Sequence, residues 1–238
     1  MKPDEVRAMN TVILAREKSE RFPRKHLATI GGKTMIVGIV ERCLTKGKVY
    51  LATGPQADNG FLGRAALAAG AWIYYEEDRP EWDIQSRVEN CCKEYGIETM
   101  FIYSGDSPFT DMRYYDLLAE PPEPGYSHDG DLGANPGSVE GRGIGHLSLD
   151  YWKYQGAGLS LDDRRREQPG SATPDDPWQV AHTIKFPVPW VCSTQTGFKT
   201  SIDYPLEAAV ADLIVRYLGR WPETDEEIER AYKEIKTI

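Results

Sequence analysis

TVILAREKSERFPRK, residues 11–25, joins a short apolar run to a segment crowded with cations. Thr11 to Leu14 are apolar or β-branched, which is typical of a buried strand in a parallel sheet. The segment that follows contributes cations, a hydroxyl and a proline, namely Arg16, Lys18, Ser19, Arg21, Pro23, Arg24 and Lys25. Cations just beyond the carboxyl end of a parallel strand suit a bound polyanion. A solvated basic loop that binds nothing is the alternative.

The rest of the chain alternates apolar runs of strand length with segments of helical periodicity. Strands are predicted at 48–53, 71–75, 98–103, 181–188 and 198–202, and helices at 33–45, 58–70, 82–95, 113–120, 206–218 and 224–236. This alternation predicts an α/β fold with a doubly wound, mostly parallel sheet. Functional residues are expected at the carboxyl ends of its strands, which carry Arg16, Thr53, Glu76 and Asp106.

The length of 238 residues suits one domain, which we expect to span 1–238. Residues 121–190 differ from the remainder because Pro, Gly, Asp and Ser are common at their start. We expect a loop or β-excursion over the sheet from residue 121 to about residue 145.

The net charge of −9 comes from 37 acidic and 28 basic residues. Such a surface repels a phosphate backbone, so nucleic acid is not an expected partner, although a local cationic cluster can still bind a small phosphorylated ligand. The four cysteines lack metal-ligand spacing and are expected to be reduced thiols. No segment resembles a signal peptide or a membrane span, so a cytoplasmic protein is expected.

Two carboxylates stand where a hard cation could bind. Asp106 follows a predicted strand in YSGDSPF, residues 103–109, and Asp203 precedes a predicted helix in TSIDYPLE, residues 200–207. The alternatives are structural, because Asp106 could only order its turn and Asp203 could only cap its helix. Asp83 and Arg87 have similar alternatives, as a helix cap and a surface charge.

The spacing Ala15-Arg16-x-x-Ser19-x-Arg21-x-Pro23-x-Lys25 resembles the signature loop of the sugar cytidylyltransferases. The resemblance extends to Gly105-Asp106-x-Pro108, to Asp83-Ile84-Gln85-Ser86-Arg87 and to Asp203-x-Pro205. Two departures stand out. Arg24 replaces the glycine that usually precedes the loop lysine, and Glu207 occupies a position where Asp is usual. The middle third of the chain also differs from the family.

The resemblance implies the fold of the nucleotide-diphospho-sugar transferases and transfer of CMP from CTP to a hydroxyl of an acidic or neutral sugar. It implies Mg²⁺ bound by Asp106 and Asp203, and a catalytic role for Arg16, Lys25 and Asp106. The nucleotide-binding residues that it implies are Leu14, Ala15, Arg16, Ser19, Arg21, Lys25, Thr53, Arg87 and Asp106. It further implies a role in cell-surface polysaccharide or glycoconjugate synthesis, residues 121–190 on the acceptor side, and a homodimer.

Two other functions remain open at this point. A glycosyltransferase of the same fold would use a nucleotide-sugar donor and not CTP. A catalytically silent protein would bind a nucleotide or sugar without turnover, although the presence of both Asp106 and Asp203 weighs against it.

Overall fold

A central sheet places the cationic loop and the two carboxylates on a common edge. The computed structural model describes residues 9–81, 83–117, 126–128, 144–149 and 201–237. The strands are β1 (Met9–Leu14), β2 (Thr29–Ile30), β3 (Lys33–Thr34), β4 (Gly47–Thr53), β5 (Trp72–Tyr75), β6 (Thr99–Ser104), β7 (Tyr126–His128) and β8 (Ile144–Ser148). The helices are α1 (Met35–Leu44), α2 (Gln56–Ala68), α3 (Ile84–Tyr95), α4 (Tyr114–Leu117), α5 (Pro205–Leu218) and α6 (Asp225–Ile235), and a 3-10 turn covers Lys25–Leu27.

The strand order of the main sheet is β5-β4-β1-β6-β8-β7. β5, β4, β1 and β6 run parallel, whereas β8 pairs antiparallel with β6 and β7 pairs antiparallel with β8. The chain moves outward from β1 to β4 and β5, and then returns to place β6 on the other side of β1. The point between β1 and β6 is therefore the topological switch, where sheets of this kind bind ligands.

Apolar side chains cover both faces of the parallel strands, which explains their continuous apolar runs. In β1, Ile13 belongs to the core under α1, α2, α5 and α6, whereas Val12 belongs to the core under α3. β6 alternates in the same way, with Tyr103 on the first face and Ile102 on the second. The sheet is thus a middle layer between two helical layers, and the prediction of a doubly wound, mostly parallel sheet is confirmed.

Most predicted elements agree with the structure to within a few residues. The helix expected at 206–218 is α5, and the helix expected at 82–95 is α3, which ends at Gly96 in the left-handed conformation. The strand expected at 198–202 is wrong where it can be checked, because Ser201 and Ile202 are not in a strand. The strand expected at 181–188 lies outside the described residues, as does most of 121–190. In that region β7 and β8 extend the sheet beyond β6.

Cys43, Cys91 and Cys92 are buried and are not in disulfide bonds, whereas Cys192 lies outside the described residues. No helix within the described ranges has the length and apolar content that a membrane crossing requires.

Candidate active site

The cationic loop, residues 15–25, leaves β1 at the carboxyl edge of the sheet. Its first residues continue the alternation of the strand, so that Ala15 and Glu17 are buried while Arg16 and Lys18 are exposed. Arg16 keeps 45% of its side chain exposed, and its nearest acidic partner is Glu81 at 3.8 Å. Its guanidinium therefore remains accessible to an incoming anion.

Gly105 brings the end of β6 against the end of β1. Its amide donates to the Leu14 carbonyl oxygen at 2.9 Å. A Cβ at this position would lie 2.6 Å from that oxygen and 2.7 Å from the Ala15 Cβ, so only glycine permits this close approach. The predicted nucleotide-binding residues Leu14 and Ala15 thus lie directly beside the turn that carries Asp106.

The Asp203 segment reaches the same turn from the distant end of the chain. The Ile202 amide donates to the Asp106 carbonyl oxygen at 2.8 Å, and the Ile202 side chain is buried in the core. Two carboxylates that lie far apart in sequence are therefore close together in the structure.

Lys25 lies between the two carboxylates. Its ammonium donates to Asp106 Oδ2 at 2.9 Å and to Asp203 Oδ1 at 3.2 Å, and only 9% of its side chain is exposed. Arg21 donates to the same Asp203 oxygen at 3.0 Å, but from a side chain that is 57% exposed. The structure therefore brings together Arg21, Lys25, Asp106 and Asp203.

The carboxyl group of Asp106 is kept ionised by this arrangement. Burial by itself would raise the pKa of Asp106, but the Lys25 ammonium and a hydrogen bond from the Ser104 hydroxyl at 2.5 Å hold that pKa below its ordinary value. An anionic oxygen is consequently present for a cation or for a donor group at neutral pH.

Glu207 supports Asp203 through the backbone. Its Oε2 accepts hydrogen bonds from the Asp203 amide at 2.5 Å and from the Tyr204 amide at 2.9 Å, at the start of α5. The departure from the usual Asp at this position thus has a local function, because Glu207 fixes the backbone that carries Asp203.

Ser19 does not contact the two carboxylates. Its Oγ accepts a hydrogen bond from the Phe22 amide at 3.4 Å, which orders a turn inside the cationic loop. The predicted nucleotide contact of Ser19 stays a prediction.

Arg24 gives the cationic loop its bend. Its φ of 57° and ψ of 29° are left-handed, a conformation that costs a non-glycine residue about 1–2 kcal/mol. Among the described residues, Arg24 is the one non-glycine residue that has a positive φ. The residue that replaces the family's glycine therefore adopts a conformation that glycine favours.

Thr53 lies at the end of β4, and Arg87 lies in the first turn of α3. Both are buried, and neither Thr53 Oγ1 nor Arg87 Nε has a hydrogen-bond partner among the described residues. The Arg87 guanidinium donates to the Glu81 carbonyl oxygen, and burial lowers the pKa of Arg87. The alternative interpretation of Arg87 as a charge on the exposed surface of a helix is therefore wrong. The alternative interpretation of Asp83 as a helix cap agrees with the structure, because its side chain accepts a hydrogen bond from the Ser86 amide at 3.1 Å.

Three residues that the sequence interpretation missed contact this region. Glu17 is buried within the loop, His26 is buried directly after it, and Glu81 faces Arg16. Extending the alternation of β1 by three residues would have placed Glu17 on the inner side with Ile13 and Ala15. Nothing in the sequence around His26 or Glu81 indicated their contacts.

The His26 side chain contacts the backbone of Arg16, the first cation of the loop. Because a carbonyl oxygen only accepts, the contact of 2.7 Å from His26 Nδ1 to the Arg16 oxygen fixes the hydrogen on Nδ1. Burial lowers the pKa of His26 from 6.5 to about 4, against the opposing effect of the Asp106 charge.

We expect the protein to lose stability as the pH falls from 6.5 to 4. In that window the unfolded chain protonates His26 and the folded chain does not, so acid favours unfolding by up to about 3 kcal/mol. Urea unfolding at stepwise pH should show this slope, and His26→Asn, whose amide can still donate to the Arg16 oxygen, should flatten it. An unchanged slope in His26→Asn would show that another group titrates.

The donor set of the two carboxylates fits magnesium. Mg²⁺ prefers oxygen ligands and commonly binds one or two carboxylates together with substrate phosphates and water. Asp106 and Asp203 supply oxygens that converge on one point, the Lys25 nitrogen. The described residues contain no cluster of three or more acidic, histidine or cysteine side chains that could hold a metal without such additional ligands.

Comparison with known proteins agrees with this geometry. The family model described as cytidylyltransferase matches residues 11–121, the segment that contains the cationic loop, Arg87 and Asp106. Residues 11–121 are therefore similar to the cytidylyltransferase family. A 3-deoxy-manno-octulosonate cytidylyltransferase from Marinomonas sp. (strain MWYL1) is 33% identical over 102 residues, which are 41% of this chain and 37% of that protein. The chain thus matches little more than a third of that relative's length.

The fold similarity extends further than the sequence similarity. A cytidylyltransferase structure from Leptospira borgpetersenii serovar Hardjo-bovis (strain JB197) aligns with a TM-score of 0.68, covering 97% of this chain and 94% of that one. The identity is 17%, so this similarity supports the fold of the cytidylyltransferase relatives and not a substrate.

Proposed function

We propose that the protein transfers CMP from CTP to a hydroxyl group of a sugar and releases pyrophosphate. The observation that carries this proposal is the ammonium of Lys25, which lies between Asp106 and Asp203 at the switch point of the sheet. Cations from the loop and two carboxylates at one edge are the groups that a metal–triphosphate substrate needs.

In this reaction the acceptor oxygen forms a bond with the α-phosphorus, while the bond from that phosphorus to the bridging oxygen of the β-phosphate breaks. The hydroxyl proton is released to solvent. The accessible Arg16 and Arg21 are placed to bind the β- and γ-phosphates, and Lys25 to stabilise the leaving pyrophosphate. Catalysis of this type is mainly positioning and neutralisation of charge.

Asp106 and Asp203 would hold Mg²⁺. A bound magnesium ion supplies charge neutralisation at the α-phosphate and lowers the pKa of the attacking hydroxyl. The backbone bonds of Gly105 and Ile202 fix where the two carboxylates stand, whatever ion they share.

Thr53 and Arg87 are proposed to contact the nucleoside part of CTP. Both have buried polar atoms without a hydrogen-bond partner among the described residues, and such atoms are costly unless a ligand or water satisfies them. Leu14 ends β1, and Ala15 and Ser19 belong to the cationic loop. These three residues complete the proposed nucleotide site.

The acceptor is proposed to be an acidic or neutral sugar destined for a cell-surface polysaccharide or glycoconjugate. The relative from Marinomonas is named for an acidic sugar, which makes 3-deoxy-octulosonate a reasonable first compound to test. The homodimer, the cytoplasmic location and an acceptor-side role for residues 121–190 stay predictions.

A thermal-shift screen of the nucleoside triphosphates with Mg²⁺ tests the nucleotide, and pyrophosphate release across a panel of sugars tests the reaction. We expect CTP with Mg²⁺ to raise the melting temperature most, and pyrophosphate to appear with one class of sugar. Transfer from a nucleotide-sugar donor without CTP would replace the proposal with a glycosyltransferase. CTP binding that needs no Mg²⁺ and gives no turnover would indicate a silent binding protein.

A further inference from the structure

Glu17 is a buried carboxylate inside a loop that otherwise presents cations. It is 5% exposed, and its Oε1 accepts hydrogen bonds from the amides of Phe61 and Leu62, both at 2.8 Å. Burying a carboxylate is costly unless hydrogen bonds or a charge compensate it. These two bonds join the cationic loop to the backbone of α2.

Asn59 forms the reciprocal half of this junction. Its Oδ1 accepts from the Glu17 amide at 2.8 Å, and its Nδ2 donates to the Pro55 carbonyl oxygen at 3.1 Å and to Glu81 Oε1 at 3.4 Å. Asn59 is fully buried and has non-helical angles, φ −124° and ψ 19°, within α2. At this irregular turn of α2, the side chain of each segment therefore forms a hydrogen bond with the backbone of the other segment.

Glu17 also determines the bend seven residues later. Its carbonyl oxygen accepts from the Arg24 amide at 2.9 Å, and its Oε2 lies 3.4 Å from Arg24 Nε. The Arg24 guanidinium in turn stacks over Phe61, 5.2 Å from the ring centroid. Both ends of the loop segment that contains Ser19 and Arg21 are therefore attached to α2 through Glu17, and Lys25 follows directly.

We propose that Glu17 is a positioning residue that presets the cationic loop to receive the triphosphate. It touches no reacting atom. It holds the backbone so that Arg16 faces outward and Lys25 lies between Asp106 and Asp203 before the nucleotide arrives, which lowers the ordering cost of binding. The role in triphosphate binding rests on the proposed function, whereas the attachment of the loop to α2 can be tested without it.

Hydrogen exchange of the ligand-free protein tests the attachment. Glu17→Ala should accelerate exchange of the amides of residues 18–22 and 24 and of Phe61 and Leu62 by about tenfold, while exchange in β6 stays unchanged. Glu17→Gln keeps an oxygen that can accept from both α2 amides, so its exchange should stay near that of the wild type. Asp58→Ala is the matched control, because Asp58 joins α2 to Lys18 of the same loop by an exposed ion pair of 2.6 Å.

Calorimetric binding of CTP and of CMP separates positioning from a general loss of structure. Glu17→Ala should raise the Kd of CTP by about tenfold and that of CMP by less than about twofold, because only CTP carries the β- and γ-phosphates. Glu17→Gln should retain most of the wild-type affinity for CTP. Asp58→Ala should match the wild type in the Kd of CTP and in the Kd of CMP.

The proposal is overturned if Glu17→Ala leaves the loop exchange unchanged, or if it weakens CTP and CMP equally. If the wild-type protein binds neither CTP nor tripolyphosphate, the proposed function is wrong. In that case the exchange comparison alone decides whether Glu17 fixes the loop.

Discussion

Asp106→Asn is expected to lower the rate of pyrophosphate release from CTP by at least about 10²–10³-fold. The substitution preserves the size of the side chain and an oxygen for the Ser104 hydroxyl, but it removes the negative charge that faces Lys25. A loss of charge at the metal–phosphate site removes stabilisation that the transition state needs and the fold does not. The rate is measured with saturating CTP, Mg²⁺ and the sugar that the acceptor screen identifies.

The control for this prediction is Asp116→Asn in the same stretch after β6. Asp116 is 68% exposed and pairs with Lys46 at 2.9 Å, so its loss should leave the rate within about twofold of the wild type. Asp203→Asn should resemble Asp106→Asn, because both carboxylates contact the same ammonium. A near-normal rate in Asp106→Asn would remove this residue from the reaction and with it the proposed metal site.

The parallel half of the fold could be predicted from sequence because its signals are local. Buried parallel strands need apolar residues on both faces, and the runs at Thr11–Leu14 and Lys48–Thr53 have them. The doubly wound connection then follows from the handedness and order of such units. The strand expected at 198–202 is wrong at its two described residues, Ser201 and Ile202. Ile202 donates its amide to the Asp106 carbonyl oxygen and buries its side chain in the core without strand pairing.

The site could be predicted only as a set of candidate residues. The spacing of the loop and the two carboxylates identified Arg21, Lys25, Asp106 and Asp203, which the structure brings together. The sequence could not show that Lys25 neutralises both carboxylates, because that depends on contacts between residues 81 and 178 positions apart. Glu17 was missed for a related reason, since a carboxylate between two cations looks solvated until its amide partners in α2 are seen.

Lys25→Met is expected to lower the free energy of unfolding by about 3 kcal/mol. The variant keeps the length and the apolar part of the side chain but removes the cation that Asp106 and Asp203 share in a largely buried position. Arg21 still contacts Asp203, so Asp106 accounts for most of the loss. Urea unfolding at pH 7 measures the change.

Lys46→Met is the matched control, because it removes a lysine from the more exposed pair with Asp116 and should cost no more than about 1 kcal/mol. Equal losses in the two lysine variants would show that the Lys25 contacts contribute no more than a surface ion pair.

Magnesium then distinguishes the two roles of Lys25, as the cation between the acids and as a ligand of the leaving pyrophosphate. In the wild type a divalent cation must share Asp106 and Asp203 with the ammonium, whereas in Lys25→Met that ammonium is absent and Asp203 keeps its contact with Arg21. Mg²⁺ without nucleotide should therefore raise the melting temperature of the variant more than that of the wild type. Pyrophosphate release should stay about a hundredfold slower even when Mg²⁺ restores stability, because the metal replaces the ammonium between the acids but not at the phosphates. If Mg²⁺ shifts both proteins equally, Asp106 and Asp203 do not bind the metal, and the role of the two carboxylates is to hold Lys25.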